Sequence, residues 1–277
     1  FYGEPFIMPE LPEVQTVINH IKDDLMGEKI KSIIPLWTKV LHNFTPNDIY
    51  QSLEKKTVVD VFRRAKFIIL QFHTGIIAIH LRMTGKLYFH LKNDYPKHCT
   101  AYIEFESGKK LIFEDVRKFG RFYLYNNLDH INHRHGPEPL DSSFTVKIFQ
   151  GMLSRRRRNI KALLLDQSFL AGLGNIYVDE SLWKSKIHSN SISNAIPKKR
   201  SEALFHNIRI TLEEAIVKKG TTIIDFSVNG ESGKYAKMLQ VFGRDGLECF
   251  KCGTLIIKNK VAGRGTYTCQ KCQKVYK

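Results

Sequence analysis

The sequence predicts a mixed α+β protein, and three observations along the chain support this fold class. Short segments rich in Val, Ile, Phe and Tyr, separated by turn residues, fill the first half of the chain and favour a β-sandwich or a β-barrel. Beyond residue 147, apolar residues recur at helical intervals instead. Four cysteines near the C-terminus form two C-x2-C pairs, a pattern typical of a zinc-bound hairpin.

A helix is predicted at the start of the β-rich half. From Pro12 onward the apolar residues fall at helical spacing, with Pro12 in the first turn and Gly27 positioned to end the helix. Glu10 and Glu13 suit the positive N-terminal end of such a helix. Five segments with β-strand composition follow this helix, at residues 29–37, 57–73, 75–91, 100–116 and 120–126.

The second half begins after GPEPL, residues 136–140, which is predicted to connect two domains. Helical spacing covers residues 147–165 and resumes after a glycine turn at residues 171–175. Two helices joined by such a turn resemble helix-turn-helix geometry, and glycine lets the backbone approach a phosphate closely. A further helix is predicted at Ser201–Lys219, and a glycine-rich loop at residues 227–235 precedes the cysteines.

The charge balance indicates a polyanionic partner. Lys and Arg total 43 against 27 Asp and Glu in a chain of 277 residues, which gives a formal net charge of +16 at pH 7. Such an excess favours nucleic acid or an anionic membrane surface as partner. The sequence shows neither an apolar run long enough to cross a membrane nor a signal-peptide pattern. We therefore expect a soluble, intracellular protein that binds nucleic acid.

The cysteines predict one structural zinc ion. Cys249 and Cys252 form one pair, Cys269 and Cys272 form the other, and 16 residues separate the pairs. Two such pairs supply the tetrahedral shell of four sulfurs that zinc prefers. The alternative is two disulfides in a secreted protein. Cys99 stands apart from these four and is expected to be an inert buried thiol rather than a nucleophile.

Several motifs in a fixed order resemble one protein family. They are MPELPEV at residues 8–14, RRAKF at 63–67, GPEPL at 136–140, LAGLGNIYVDE at 170–180, and the cysteine hairpin that contains GRGT at 263–266. Together they resemble the bacterial formamidopyrimidine-DNA glycosylases, which remove oxidised purines such as 8-oxoguanine from DNA. The resemblance covers nearly the whole chain, from Met8 to Lys277.

The resemblance implies an α+β fold with three domains. An N-terminal β-sandwich domain with its leading helix would span residues 9–136. A helix-two-turn-helix DNA-binding domain would span residues 137–244, and a zinc-ribbon β-hairpin would span residues 245–277. Residues 1–8 are expected to be a non-native upstream extension.

The resemblance makes Pro9 the nucleophile. In the family the initiator methionine, here Met8, is removed and the following proline becomes the N-terminal residue. A free N-terminal proline is a secondary amine, and α-amino groups titrate near about pH 8, so part of the population is neutral at cellular pH. Condensation with the sugar C1′ would give a cationic iminium that acts as an electron sink for elimination. The alternative is a proline that merely starts a helix.

Three further residues complete the catalytic set that the resemblance implies. Glu10 would protonate the departing base or the opened sugar ring, a role that requires proximity to the reacting atoms; alternatively it only complements the helix N-terminus. Lys66, in RRAKF, would contact the lesion nucleotide and assist elimination. Arg264, in the hairpin loop, would clamp a phosphate and aid the second elimination, while the zinc holds that loop rigid.

A group of side chains is expected to fill the gap left by an everted base. A base inside a duplex cannot reach Pro9, so the lesion nucleotide must leave the stack, and wedges and a cation would occupy its place. By resemblance these are Met83, Arg117 and Phe119. The usual family pattern has proline where this chain has Val116, which affects the expected rigidity of the loop. Without the resemblance, Met83 and Phe119 would be ordinary core residues.

Other residues are expected to grip the DNA backbone. By resemblance, the side chains that hold the strand around the lesion are His98, Arg156, Lys161 and Asn175. The family often has an acid where Cys99 stands, which allows a different orientation of His98. Taken alone, the arginine run at residues 155–158 would be a solvated basic face.

The predicted function is base-excision repair of oxidised purines by a bifunctional DNA glycosylase and abasic-site lyase that performs β,δ-elimination. The expected partner is double-stranded DNA with oxidised bases or abasic sites, and the expected setting is the bacterial cytoplasm and nucleoid, without membrane, as a monomer. One alternative is the sister branch that prefers oxidised pyrimidines, although Leu11 favours the purine branch because the sister motif resembles PEGPE. The other is a non-catalytic zinc-ribbon DNA-binding homologue, which would form no adduct that borohydride traps.

Overall fold

The computed structural model describes residues 8–52, 57–90, 94–221, 227–228 and 231–277. Residues 1–7 of the predicted extension and residues 229–230 of the predicted glycine-rich loop lie outside this part. The chain forms two compact units. The first comprises the described residues up to His133 together with those of Lys218–Lys234, and the second comprises Arg134–Val217 and Tyr235–Lys277.

The first unit contains two four-stranded antiparallel sheets, which confirms the predicted β-rich half. In the order of their neighbours, one sheet is β1-β6-β7-β5 and the other is β2-β3-β4-β8. The eight strands are β1 (Ile30–Pro35), β2 (Asp60–Arg64), β3 (Phe67–Gln71), β4 (Ile76–His80), β5 (Gly85–His90), β6 (Cys99–Phe105), β7 (Lys110–Asp115) and β8 (Arg121–Tyr125). Its helices are α1 (Leu11–Leu25), α2 (Pro46–Ser52) and α3 (Asp129–Asn132).

One buried apolar cluster joins α1 to both sheets. Val14 and Ile18 of α1 lie in the same cluster as Ile68 of β3 and Leu111 of β7, and all four side chains are essentially inaccessible to solvent. Removal of this apolar surface from water is the main stabilising term for the unit. The helical spacing that predicted α1 is thus the spacing of its core-facing side chains.

Strand β2 runs back along α1. The Gly27 N–H donates to the Val58 carbonyl at 2.9 Å, just beyond the end of the helix. Two residues later, Asp60 accepts a bond from Lys22, in the last turns of the helix, at 2.7 Å. The chain therefore retraces α1 towards its N-terminal end, where the turn between β2 and β3 follows.

The second unit contains the helices α4 (Val146–Ser154), α5 (Ile160–Leu165), α6 (Asn175–Lys184) and α7 (Lys198–Val217). The continuous helical pattern predicted over residues 147–165 is broken between α4 and α5. The break has a local cause, because the Asn159 side chain accepts a bond from the Ala162 N–H at 2.9 Å and caps a new helix there. No helix in the described part of the chain is long and apolar enough to cross a membrane.

The compact units divide the chain differently from the three predicted domains. Residues 218–234 were expected in the helical domain, and the described residues of this range group with the first unit, where the short strands β9 (Ser227–Val228) and β10 (Glu231–Ser232) pair. The cysteine hairpin, with β11 (Ile257–Val261) and β12 (Arg264–Thr268), lies in the same unit as helices α4 to α7. Long-range hydrogen bonds connect both segments to the rest of their units, and they also contribute to the site.

Candidate functional site

Pro9 and Glu10 are buried where α1 begins. Pro9 is buried and Glu10 is 2% exposed. Glu10 caps the helix by a reciprocal pair of bonds: its side chain accepts from the Glu13 N–H, and its own N–H donates to Glu13 Oε2 at 2.9 Å. The helix-capping alternative for Glu10 therefore describes a real contact, and this contact fixes the carboxyl next to Pro9.

Glu13 also binds the segment that returns to the first unit. The Thr221 N–H donates to Glu13 Oε1 at 2.7 Å, although 208 residues separate the two along the chain. The preceding Gly220 has a φ of +78°, and a Cβ at that position would lie 2.8 Å from the same carboxylate oxygen. A side chain at residue 220 would therefore be strained and would crowd Glu13. The carboxylate of Glu13 thus joins the start of α1 to the beginning of the segment 218–234.

Lys66 lies in the turn between β2 and β3. Its neighbour Ala65 has a φ of +54°, a left-handed conformation that non-glycine residues adopt rarely. Lys66 is only 9% exposed, so it is not a solvated strand lysine. Because β2 runs back along α1, this turn lies towards the helix end that carries Pro9 and Glu10.

Met83, Arg117 and Phe119 come together on two neighbouring loops. Arg117 Nη1 lies 3.2 Å from the Met83 sulfur, and the Arg117 guanidinium lies 4.9 Å from the centroid of the Phe119 ring. Phe119 is 47% exposed and the adjacent Val116 is 57% exposed. The core-residue alternative therefore fails for Phe119, because exposed apolar side chains beside a cation are available to a ligand.

The predicted phosphate contacts have different surroundings. His98, in the turn before β6, is partly exposed. Arg156 donates to the Met152 carbonyl at 3.1 Å and stacks on Phe169 with 5.2 Å between the guanidinium and the ring centroid. Asn175, the first residue of α6, donates to the Gly265 carbonyl at 2.9 Å. Asn175 therefore contacts the residue next to Arg264, at the start of β12.

Lys161 is not placed to contact a phosphate. Its side chain is fully buried, and Nζ lies 2.6 Å from Asp179 Oδ1 and 3.2 Å from the Gly265 carbonyl. Asp179 Oδ2 accepts from the Tyr267 N–H at 3.1 Å. Burial raises the pKa of Asp179 to about 6, while Lys161 opposes that rise. The pair ties helices α5 and α6 to Gly265 and Tyr267 of β12.

The four C-terminal cysteines fit a zinc ion. Their sulfurs all lie within 4.8 Å of one another, with 3.9 Å between Cys249 and Cys272 and 3.4 Å between Cys252 and Cys269. A tetrahedral site with Zn–S bonds of about 2.3 Å has sulfurs roughly 3.8 Å apart. Hydrogen bonds from Thr254 lower the pKa of Cys252 to about 6, whereas burial raises the pKa of Cys269 and of Cys272. Zinc binds the thiolate form.

Cys99 lies apart from the zinc site, as predicted. Its thiol donates to the Ala101 carbonyl at 3.4 Å, and burial raises its pKa to about 11. A thiol in this state is a poor nucleophile and a poor metal ligand.

Two buried acids of α6 were not singled out from the sequence. Asp179 is the partner of Lys161 described above. Glu180 is fully buried and accepts from three successive backbone N–H groups, those of Gln240, Val241 and Phe242, at 2.9 to 3.1 Å. Desolvation raises the pKa of Glu180. The signal was present in the sequence, because two adjacent acids between apolar residues of a helix, here Val178 and Leu182, are seldom buried without partners.

Three family models match successive parts of the chain. The formamidopyrimidine-DNA glycosylase N-terminal domain matches residues 8–122, and the formamidopyrimidine-DNA glycosylase H2TH domain matches residues 135–227. The zinc finger found in FPG and IleRS matches residues 246–275. Together they cover most of the first unit, helices α4 to α7 and the cysteine hairpin.

Curated relatives and solved structures match over nearly the full length. The formamidopyrimidine-DNA glycosylase of Protochlamydia amoebophila is 42% identical over 276 residues, 96% of this chain and 100% of the relative. That of Lactobacillus johnsonii is 41% identical over 280 residues, 98% of this chain and 100% of the relative. A complex between a mutant of the Lactococcus lactis FPG and Fapy-dG-containing DNA has a TM-score of 0.88 at 36% identity, covering 96% of this chain and 100% of that one. The Lactococcus lactis Fpg bound to abasic-site DNA has a TM-score of 0.87 at 36% identity, covering 96% and 99%.

Proposed function

Because the chain belongs to the formamidopyrimidine-DNA glycosylase family, we propose that it repairs oxidised purines with Pro9 as nucleophile, Glu10 as acid, and Lys66 and Arg264 as assisting cations. The protein is a DNA glycosylase and abasic-site lyase of base-excision repair, its partner is damaged duplex DNA, and its cofactor is one structural zinc. The observation that carries this conclusion is the match of all three family models in order along one chain. Since its substrate is chromosomal DNA, the proposal places it at the nucleoid in a bacterial cytoplasm.

The proposed reaction begins at the nitrogen of Pro9. In a chain that starts at this residue, the secondary amine attacks the sugar C1′ while the bond between C1′ and the base breaks. Opening of the sugar ring then leaves an iminium between Pro9 and C1′. The iminium draws electrons from the sugar, so a proton leaves C2′ and the 3′-phosphate departs in the first elimination. The 5′-phosphate departs in the second.

Glu10 and Lys66 are supported by their burial, Glu10 next to Pro9 in the chain and Lys66 in a turn towards the same end of α1. The capping bonds hold Glu10 beside Pro9, where its carboxyl would give a proton to the departing base or to the opened ring oxygen. Lys66 would contact the lesion nucleotide from the turn that β2 carries towards the same end of α1. The buried ammonium group of Lys66 would stabilise the negative charge of the lesion nucleotide when its sugar lies near Pro9.

A direct test compares two damaged duplexes. A chain that starts at Pro9 should cut a duplex with 8-oxoguanine opposite cytosine faster than the same duplex with an oxidised pyrimidine. Preference for the oxidised pyrimidine would instead support the sister branch. No cutting and no borohydride-trapped adduct on either duplex would support a non-catalytic DNA-binding protein.

Mutations should distinguish phosphate binding by Arg264 from the role of the gap-filling cluster, which consists of Met83, Arg117 and Phe119. Arg264, the first residue of β12 after the hairpin turn, is exposed, so Arg264→Ala should weaken binding to damaged and intact duplex alike, by about 10-fold or more for a charge-assisted bond. It should also reduce the salt dependence of binding. Met83→Ala should leave affinity for intact duplex unchanged and slow lesion processing. Binding titrations at several salt concentrations measure the first effect, and single-turnover cutting measures the second. Equal losses of intact-duplex affinity in both variants would contradict this division.

We propose that Lys161 stabilises the start of strand β12 and does not bind a phosphate. Lys161→Met leaves Asp179 buried without its cation, which should cost about 3–5 kcal/mol of folding free energy. Adding Asp179→Asn should recover most of that cost, since the amide oxygen still accepts from Tyr267. Urea unfolding of the single and double variants measures both effects.

A matched control for the buried Lys161–Asp179 ion pair is Lys184→Met. Lys184 pairs with Glu214 at 2.8 Å, but both side chains are partly exposed, so the loss should stay below about 1 kcal/mol. If Lys161→Met kept normal stability and lost DNA affinity, Lys161 would be a phosphate contact after all.

A further inference from the structure

One buried carboxylate lies beneath the two loops that carry the gap-filling cluster. Asp115 is the last residue of β7 and is 1% exposed. It pairs with Gly85 in the adjacent strand β5, so it lies where the loop that carries Met83 joins the sheet. The loop that carries Arg117 and Phe119 begins immediately after Asp115.

The Asp115 carboxylate is bonded to both loops. Its Oδ1 accepts from the Thr84 hydroxyl and, at 3.2 Å, from the Arg117 N–H. The same N–H also lies 3.2 Å from Thr84 Oγ1. The Arg117 N–H in the second loop therefore contacts both Asp115 and Thr84, which ends the first loop. The other oxygen, Oδ2, accepts from the Gly120 N–H at 2.7 Å. The carboxylate therefore closes the second loop at its start and at its end.

The backbone of Asp115 adds two more connections. Its carbonyl accepts from the Lys118 N–H at 3.3 Å, and its N–H donates to the His98 carbonyl at 2.9 Å. Lys118 has a φ of +58°, a conformation that persists only where surrounding contacts hold it. One residue thus contacts the loop apex, both of its ends and the residue expected to grip a phosphate.

Close packing around Gly120 restricts the conformation of this loop. A Cβ at Gly120 would overlap Phe113 Cζ and lie 3.1 Å from Asp115 Oδ2, so only glycine permits the bond to the carboxylate. The position next to Asp115 is Val116, where the usual family pattern has a proline. Proline would restrict the loop by fixing its own φ, and in this chain the bonds to Asp115 supply the restriction.

We propose that Asp115 and Thr84 act as a positioning pair that holds Met83, Arg117 and Phe119 in the arrangement needed to fill the gap left by the everted lesion. This inference rests on the gap-filling role proposed above. The pair touches neither substrate nor reacting atoms. Its effect is to present the three side chains as one preorganised surface, so that little ordering is required when the base leaves the stack.

Two substrates separate this role from catalysis. A duplex with 8-oxoguanine requires eversion and gap filling, whereas a single-stranded oligonucleotide with an abasic site has no base to evert and no stack to fill. Thr84→Val removes the hydroxyl that bridges the loops, and Asp115→Asn removes the acceptor for Gly120. Each variant should process the duplex about 10-fold or more slowly and should be trapped on the single-stranded abasic site at the wild-type rate.

Conservative and control variants complete the experiment. Thr84→Ser keeps the hydroxyl and should restore duplex processing. Asp60→Asn, which loses the pairing with Lys22 in the same unit, should leave both substrates unaffected. If Asp115→Asn fails to fold, the Val and Ser variants of Thr84 carry the test by themselves.

The outcomes distinguish this inference from the proposed function. Wild-type duplex rates in Thr84→Val, or an equal loss on both substrates, would overturn the positioning role while the wild-type protein remains an active glycosylase. Failure of the wild-type protein to be trapped on either substrate would overturn the proposed function itself, and the positioning role with it.

Discussion

Cys252→Ser is expected to release the zinc and to remove most of the affinity for DNA. The hairpin is too small to bury a core of its own, so metal binding supplies its folding free energy. Without the metal, the hairpin of β11 and β12 no longer holds Arg264 in place. Gly265 then also loses its contacts with Lys161 and Asn175. Loss of the charge-assisted contact alone should weaken DNA binding by about 10- to 100-fold.

The first unit should survive the loss of zinc. Its sheets and α1 share a core, and among the residues that the structure describes the hairpin contributes none to it. Hydrogen exchange in β3 and β4 should therefore remain as slow as in the wild type. Cys99→Ser is the matched control, since Cys99 lies outside the four-sulfur cluster, and it should retain one zinc per chain and full affinity. A zinc-free Cys252→Ser protein with wild-type affinity would contradict the structural role of the metal.

The second large effect concerns the amine of Pro9. Protein that begins at Pro9 should cut 8-oxoguanine DNA and form a borohydride-trapped adduct, because its secondary amine is free. Protein that keeps residues 1–8 should bind DNA through the second unit but form no adduct, because an amide nitrogen has no nucleophilic lone pair. Mass spectrometry of both proteins before the reaction must confirm their termini.

Two modifications of the trimmed protein refine this prediction. Pro9→Gly leaves a primary amine, so trapping should be reduced but not lost. Acetylation of the N-terminus blocks the amine and should abolish trapping. Equal trapping by the extended protein, with its extension intact, would show that Pro9 is not the nucleophile and would make Lys66 the first replacement.

Patterns that are local in sequence predicted the structure well. The spacing of the four cysteines predicted a cluster that the fold assembles, because each C-x2-C pair forms one turn and only the two turns must meet. The helical spacing after Pro12 predicted α1, which begins one residue earlier at Leu11 and ends at Leu25, two residues before Gly27. In these cases the residues that interact are close in the sequence or share one repeating face.

The contacts that sequence patterns missed join distant parts of the chain. Lys161 has the sequence context of a DNA-facing lysine, and only the packing of α6 and the hairpin buries it beside Asp179. The described residues of 218–234 group with the first unit, where the Thr221 N–H donates to Glu13. Glu13 and Asp179 lie inside recognised motifs, but neither a motif nor a periodicity indicates which distant residue each of them contacts.

The site shows the same division. The motifs predicted which residues would meet, as Met83, Arg117 and Phe119 do, but not what holds them. Because Val116 stands where the family pattern has proline, the sequence did not show what restricts the conformation of this loop. Asp115 supplies that support from the end of a strand whose alternating pattern gave no reason to single out its last residue.

The most direct test of the proposed mechanism is to locate the covalent bond itself. Trimmed protein is reacted with 8-oxoguanine duplex, reduced with borohydride, digested with protease and nuclease, and examined by tandem mass spectrometry. The mechanism predicts a reduced sugar remnant on the peptide that begins at Pro9, attached to its nitrogen. A remnant on the peptide that contains Lys66, with the Pro9 peptide unmodified, would contradict it.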